Sequence, residues 1–117
     1  MAAVLVEDGE EYIVDAIIAA DVMKFIDTGT GVTAADKADT GMETGTAETR
    51  ATGVMSEANA QTIQVVGTVT FTGSHAVTEV GLFTHLSAGV LAIRDTFGVI
   101  NVVNGNGIQF TITLEIQ

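Results

Sequence analysis

The 117-residue chain has the length of one domain, and its make-up of 47% apolar and 16% charged residues, against roughly 25% charged in an average soluble domain, disfavours both a second domain and a disordered tail. Fifteen acids against four bases give a net charge of −11, which repels phosphate backbones and anionic lipid alike, so neither nucleic acid nor a membrane is expected as a partner. The absence of cysteine excludes a disulfide framework, a thiol nucleophile and thiolate metal sites.

A low charged fraction leaves Thr, Ser, Gly, Asn, Gln and apolar groups to cover the surface. That is expected where subunit contacts replace solvent, and equally of a β-domain with a threonine-covered face. The charge is uneven: residues 1–57 hold twelve acids and three bases (net −9), residues 58–117 three acids and one base (net −2). No apolar run approaches the length of about 20 residues that spans a bilayer, and no basic-then-apolar leader opens the chain, so folding in a cytoplasm is expected.

Ala3 to Val6 fits a short strand or an arm reaching a neighbouring subunit. Glu7 to Asp21 predicts a helix, with Asp8 as cap and Glu11 completing a capping box. Tyr12, Ile13, Ala16, Ile17 and Ala20 recur at spacings of three and four, and Val14 and Ile18 widen that apolar face for docking against a sheet. Val22 to Thr28 predicts a short strand. Residues 28–53, rich in Thr, Gly, Ala and Asp, show no periodicity and predict a long loop or arm lying along a surface or an adjacent subunit.

The second half alternates clearly. From Gln61 to Thr72, Ile63, Val65, Gly67, Val69 and Phe71 point one way; at the end, Ile108, Phe110, Ile112, Leu114 and Ile116 do the same. Ala76 to Thr84 and Val90 to Phe97 predict a hairpin around the loop His85–Gly89. A further short strand over Val99 to Val103 ends at the turn Asn104–Gly107. The expected fold is mainly β, an antiparallel sandwich or barrel-like module with one short N-terminal helix and a long irregular loop. It forms a single domain over 1–117, with arm, helix and loop in 1–57 and the sheet core in 58–117.

Residues that often carry chemistry are sparse. The segment Thr28-Gly-Thr-Gly31 lacks the lysine of a phosphate loop and no helical pattern follows it. Asp36, Asp39 and Glu43, like Asn104 and Asn106, lack the alternating ligands of a calcium loop and are expected to be solvated. His75 and His85 lack a second ligand at metal-binding spacing and are expected at the surface; Ser56, Ser74 and Ser87 lack an elbow motif. No cofactor, metal or catalytic residue is therefore expected. One charged pair stands out: Glu79 and Arg94 lie on the two arms of the hairpin, nearly equidistant from its loop, in a region almost free of charge. They are expected to form a cross-strand ion pair, with contact to a partner chain as the alternative.

Several segments together resemble small virion proteins of tailed phages and related viruses. They are Gly9-x-x-Tyr-Ile-x-Asp15, Thr28-Gly-Thr-Gly31, Asp39-Thr40, Arg50 followed by Gly53, and above all Thr78-Glu-Val-Gly-Leu-Phe83. Gly89-Val-Leu-Ala-Ile-Arg94, Thr96-Phe97, Ile100-Asn-Val102 and Gly107-Ile-Gln-Phe-Thr111 complete the set. Phe25 stands where a tryptophan is common, and the prolines frequent in the loop are missing. The resemblance implies a β-sandwich that assembles as a symmetric oligomer, a trimer, on a virion. The resemblance leaves the place on the virion open; a short chain with no receptor-binding extension, an acidic face for the exterior and long arms that can lie across capsomer joints make a capsid decoration or cement protein, on the capsid exterior with the major capsid protein as partner, the leading expectation. Glu79-Val-Gly-Leu-Phe83 is also similar to tail-collar and tail-fibre modules, which makes a tail, baseplate or fibre-attachment role the alternative. Glu79, Arg94, Arg50, Phe25, Phe83 and Phe97 are the structural or interface candidates in these segments.

Overall fold

The computed structural model describes residues 2–117. In chain order the elements are α1 (Glu7–Ala20), β1 (Phe25–Gly29), β2 (Ala51–Thr52), β3 (Val54–Asn59), β4 (Thr62–Thr70), β5 (His75–Phe83), β6 (Leu91–Val102) and β7 (Gly107–Glu115). The strands form two antiparallel sheets, β2-β1-β5-β6 and β3-β4-β7, packed as a sandwich. The core is drawn from both inner faces: Ile26, Val80 and Leu82 of the first sheet meet Ile63, Val65 and Val69 of the second.

The alternation of the second half becomes real pleating. β4 and β7 pair over nine positions, from Thr62 opposite Glu115 to Thr70 opposite Gly107. Phe71, just past β4, is fully buried, and its backbone is clamped by the Asn104–Gly107 turn: Phe71 N–H donates to Asn106 O and Gly105 N–H to Phe71 O, both at 2.8 Å. The residues 90–103, expected as two strands, form the single strand β6. Its register against β5 slips twice, which absorbs the irregular pattern around Gly98 without ending the strand.

Three expectations are corrected in the first half. The helix carries no side-chain cap: Val6, in extended conformation, occupies the N-cap position and Glu10 N–H donates to its carbonyl at 3.0 Å. Asp8 therefore lies inside the first turn, where Glu7, Asp8 and Glu10 favour the helix through its dipole rather than by capping. The docking face is also rotated. Val14 is the buried residue, flanked by half-buried Ile17 and Ile18, whereas Tyr12 is 76% exposed and Ala16 and Ala20 face outward. Third, residues 1–57 hold more strand than expected: β1 answers to the short strand expected over Val22 to Thr28, but β2 and most of β3 fall in the stretch assigned to arm, helix and loop. β3 escaped sequence reading because its side chains are nearly all exposed, so it has no apolar period, and it is held by backbone pairing to β4.

The two sheets are joined along one flank, where the chain passes from β2 to β3 through Gly53. Gly53 N–H donates to Lys24 O at 2.8 Å, and a side chain on Gly53 would strike Val65 Cγ1. Gly67 of β4 faces this crossing; a Cβ there would lie 3.1 Å from Gly53 Cα and 2.9 Å from Ile26 Cδ1. Gly67→Ala is expected to destabilise the fold by about 1–3 kcal/mol through overpacking. Gly98→Ala, in open space at ordinary φ, is expected to stay within about 0.5 kcal/mol of the parent. Urea unfolding of both variants checks the contrast.

Candidate functional site

The outer face of the first sheet carries Phe25, Asp27 and Gly29 from β1 beside Phe83, Gly81 and Glu79 from β5, in direct register. The long segment between β1 and β2 folds back over this face. Its far end runs beside β1 as an irregular extra strand: Thr30 N–H donates to Thr44 O at 2.8 Å and Thr46 N–H to Thr28 O at 3.1 Å, around a Gly29–Gly45 bridge. The loop expected along a surface or a neighbouring subunit therefore covers its own sheet.

Glu79 fixes that cover. Its side chain is 0% exposed, and its carboxylate accepts four hydrogen bonds: Gly31 N–H (3.1 Å) and Thr44 N–H (2.9 Å) on Oε1, Glu43 N–H (3.2 Å) and Arg94 Nε (2.8 Å) on Oε2. Burial alone would raise the pKa of this acid, but the four donors, led by Thr44 N–H and Arg94, outweigh it and hold the carboxyl below its ordinary value. Arg94, its side chain 3% exposed, uses its remaining nitrogens on the same loop, donating to Asp39 Oδ2 and to Thr33 O, each at 3.0 Å. The expected ion pair is formed, on a diagonal of the β5–β6 ladder, because Arg94 stands opposite Gly81 and Thr96 opposite Glu79. No side chain intervenes at Gly81, whose absent Cβ leaves room for Met42 Sδ.

The glycines of Thr28-Gly-Thr-Gly31 have the same cause. A Cβ on Gly29 would overlap the Glu79 carboxylate, and one on Gly31 would collide with Glu43 Cβ. The loop cradles an anion, and the anion is the protein's own.

A second ionic tie fastens the base of the loop. Glu48 accepts from Thr72 N–H (2.9 Å), Thr72 Oγ1 (2.7 Å), Gly73 N–H (3.1 Å) and, through Oε2, pairs with His75 Nε2 at 3.0 Å. The Thr72 hydroxyl, followed by its backbone N–H, does most to hold the Glu48 carboxyl at about 2. A third tie is Arg50: its guanidinium lies 3.7 Å from the Phe83 ring centroid, Nε donates to Asp27 Oδ2 at 3.2 Å, and one terminal nitrogen donates to His85 O and Ala88 O at 2.8 and 2.7 Å. Arg50 thus anchors the β5–β6 hairpin loop.

Five of the six candidates, Glu79, Arg94, Arg50, Phe83 and Phe25, are gathered on this one covered face. Phe97 is not; it lies on the inner side of β6 against Phe110, ring centroids 6.0 Å apart. Two expectations are corrected. Asp39 and Glu43 are not merely solvated, since Asp39 pairs with Arg94 and Glu43 Oε1 accepts from Val32 and Thr33 N–H. His75 is tied to Glu48 rather than free, while His85 is exposed. Glu48 gave no signal in the sequence because its partners lie 24 to 27 residues away across two turns. No protein-family model matches the chain, and no curated protein matches it significantly.

Two outcomes follow from these ties. Glu79→Ala leaves the buried Arg94 facing only Asp39 and is expected to cost about 3–5 kcal/mol, and the Arg94→Ala/Glu79→Ala double variant to cost clearly less than the two single losses added. Additive losses in a denaturant cycle would show that the pair is energetically idle. The lowered pKa of Glu48 contributes stability above its ordinary pKa of 4.5 that is lost as the pH falls toward about 2. Glu48→Gln should therefore flatten the decline of stability across that window in acid titrations followed by circular dichroism.

Proposed function

We propose that this protein is a non-catalytic packing module of a virion, a capsid decoration protein that stabilises the head shell by binding across major capsid protein subunits. The observation that supports a packing role is the set of large apolar side chains left in the open: in the first third of the chain Val4 is 81%, Val6 61%, Tyr12 76% and Val32 77% exposed. Such groups are what a packing module offers a partner, and order already present in the contacting segment lowers the entropy lost on binding. The ties of Glu79, Arg94 and Glu48 supply that order to the loop bearing Val32.

The choice of a virion rests on the resemblance of Thr78–Phe83, Gly89–Arg94 and Gly107–Thr111 to small virion proteins, and with it goes self-association into a trimer; the capsid is chosen for the acidic exterior that α1 offers. The alternative, a tail, baseplate or fibre-attachment component, is favoured by Glu79-Val-Gly-Leu-Phe83. In the structure that segment is the central strand β5, with Glu79, Gly81 and Phe83 serving the loop cover. A motif so occupied tracks the fold and is compatible with either site on a particle.

Quantitative gels of purified particles separate the two: a copy number close to that of the shell subunit is expected, against a small number set by tail symmetry. Shells stripped of this chain should melt at lower temperature and recover on adding it back, with Tyr12→Asp binding about tenfold or more weakly. Identical melting of stripped and decorated shells would sink the capsid reading.

A further inference from the structure

The sandwich is closed on one flank and open on the other. Where β2 crosses to β3 the backbones approach closely at Gly53 and Gly67, but β6 and β7, the last strands of their sheets, make no ladder with each other. Between them lies a cleft of about 310 Å3 lined by Val80, Leu82, Ile93, Phe97, Phe110 and Ile112, with Asp95 its one charged group and Thr111 and Thr113 beside it. The apolar residues of β7 that alternate toward the interior, Ile108 to Leu114, all remain half-buried, whereas their counterparts Ile63, Val65 and Val69 on the neighbouring β4 are 1% exposed.

Both strands are also long and unguarded. β6 has twelve residues and β7 nine, each hydrogen-bonded to a single neighbour, and neither contains the Lys or Pro with which natural edges resist pairing. Val99, 57% exposed, and Ile100, 42%, add apolar surface to the β6 edge.

We propose that this β6–β7 flank is a self-association surface, covered by the same flank of neighbouring copies of this chain about one symmetry axis, β6 of one copy against β7 of the next. Charge selects the occupant. Residues 91–115 carry only Arg94, Asp95 and Glu115, and Arg94 is consumed inside by Glu79 and Asp39. In a chain of net −11 this is where two copies approach with least repulsion, whereas α1 presents Glu7, Asp8 and Asp15 to solvent and is followed by exposed Asp21. A strongly charged partner would find almost nothing to read on the flank. The N-terminal segment of another copy fits less well, because it would bring Glu7, Asp8 and Glu10 against Asp95, whereas a second flank brings a single Asp95. The proposal rests on the self-association proposed above and adds its location.

The test is sedimentation equilibrium of the isolated full chain, which needs no shell. The parent is expected at a multiple of the monomer mass. Ile112→Lys places a charge that can reach water at an open cleft but not at a covered one. T111K/T113K leaves every apolar side chain in place and serves if Ile112→Lys fails to fold. Folded by circular dichroism, the variants should run as monomers, with association about tenfold or more weaker. A parent that is monomeric at about 100 µM, a level that detects all but very weak contacts, would overturn both the flank and self-association. An oligomeric parent whose folded variants keep its mass, or that is dissolved only by deleting Ala2–Val6, would overturn the flank alone. Rebinding of a monomeric variant to stripped shells reports separately on the capsid reading.

Discussion

The buried carboxylate of Glu79 is the constraint on which the first sheet depends. An ionised acid withdrawn from water is tolerated only when its oxygens are satisfied, and here four donors converge on it, one of them a guanidinium. Three of those donors are backbone N–H groups of the long loop. The loop therefore owes its course to a side chain on a strand, and the strand owes its buried acid to the loop. Neither half of that arrangement is stable without the other, which is why glycine stands at positions 29 and 31, where any side chain would displace the carboxylate or Glu43.

The same logic recurs at Glu48 and Arg50, and it changes the meaning of the composition. A chain with few charges would ordinarily keep them on its surface for solubility. Here Asp27, Asp39, Glu43, Glu48 and Glu79 are engaged in internal bonds, as are Arg50 and Arg94, two of the four bases. The net negative charge is thus not one acidic face spread over the first half. Its solvent-facing portion is divided between α1 and scattered single acids such as Asp21, Asp36, Glu57, Asp95 and Glu115, while Asp39, Glu43 and Glu48 act as ties that apolar packing alone does not supply.

How much of this was legible in the sequence depended on whether a residue's environment repeats along the chain. β4 and β7 alternate between a core and water at every position, so their period reveals them. β3 has the same backbone pairing with no apolar face, and nothing in its side chains reports it. The helix was legible and its face only in part: Val14, Ile17 and Ile18 dock as expected, while Tyr12, Ala16 and Ala20 keep the helical period and point away from the sheet. Glu79 and Arg94 could be paired in advance since a hairpin makes positions equidistant from its loop neighbours. Glu48 and His75 could not, because their meeting depends on how the irregular loop returns, and that path is set by the Glu79 cradle.

The two flanks of the sandwich then differ for a physical reason. At the Gly53 crossing, absent side chains let backbones approach and the sheets close on each other. Sheets that meet tightly along one edge and carry their natural twist must diverge along the other, unless large side chains fill the gap. Phe97 and Phe110 are the largest groups available there, tilted at 55° to each other, and they bridge the sheets at one level only. Small residues at the closed flank therefore leave apolar residues half-covered at the open one. Arg94 of β6 turns to the loop-covered face of the first sheet, whereas Thr111, Ile112 and Thr113 belong to β7 of the other sheet, so changes on β7 can be made without touching the Glu79 cradle.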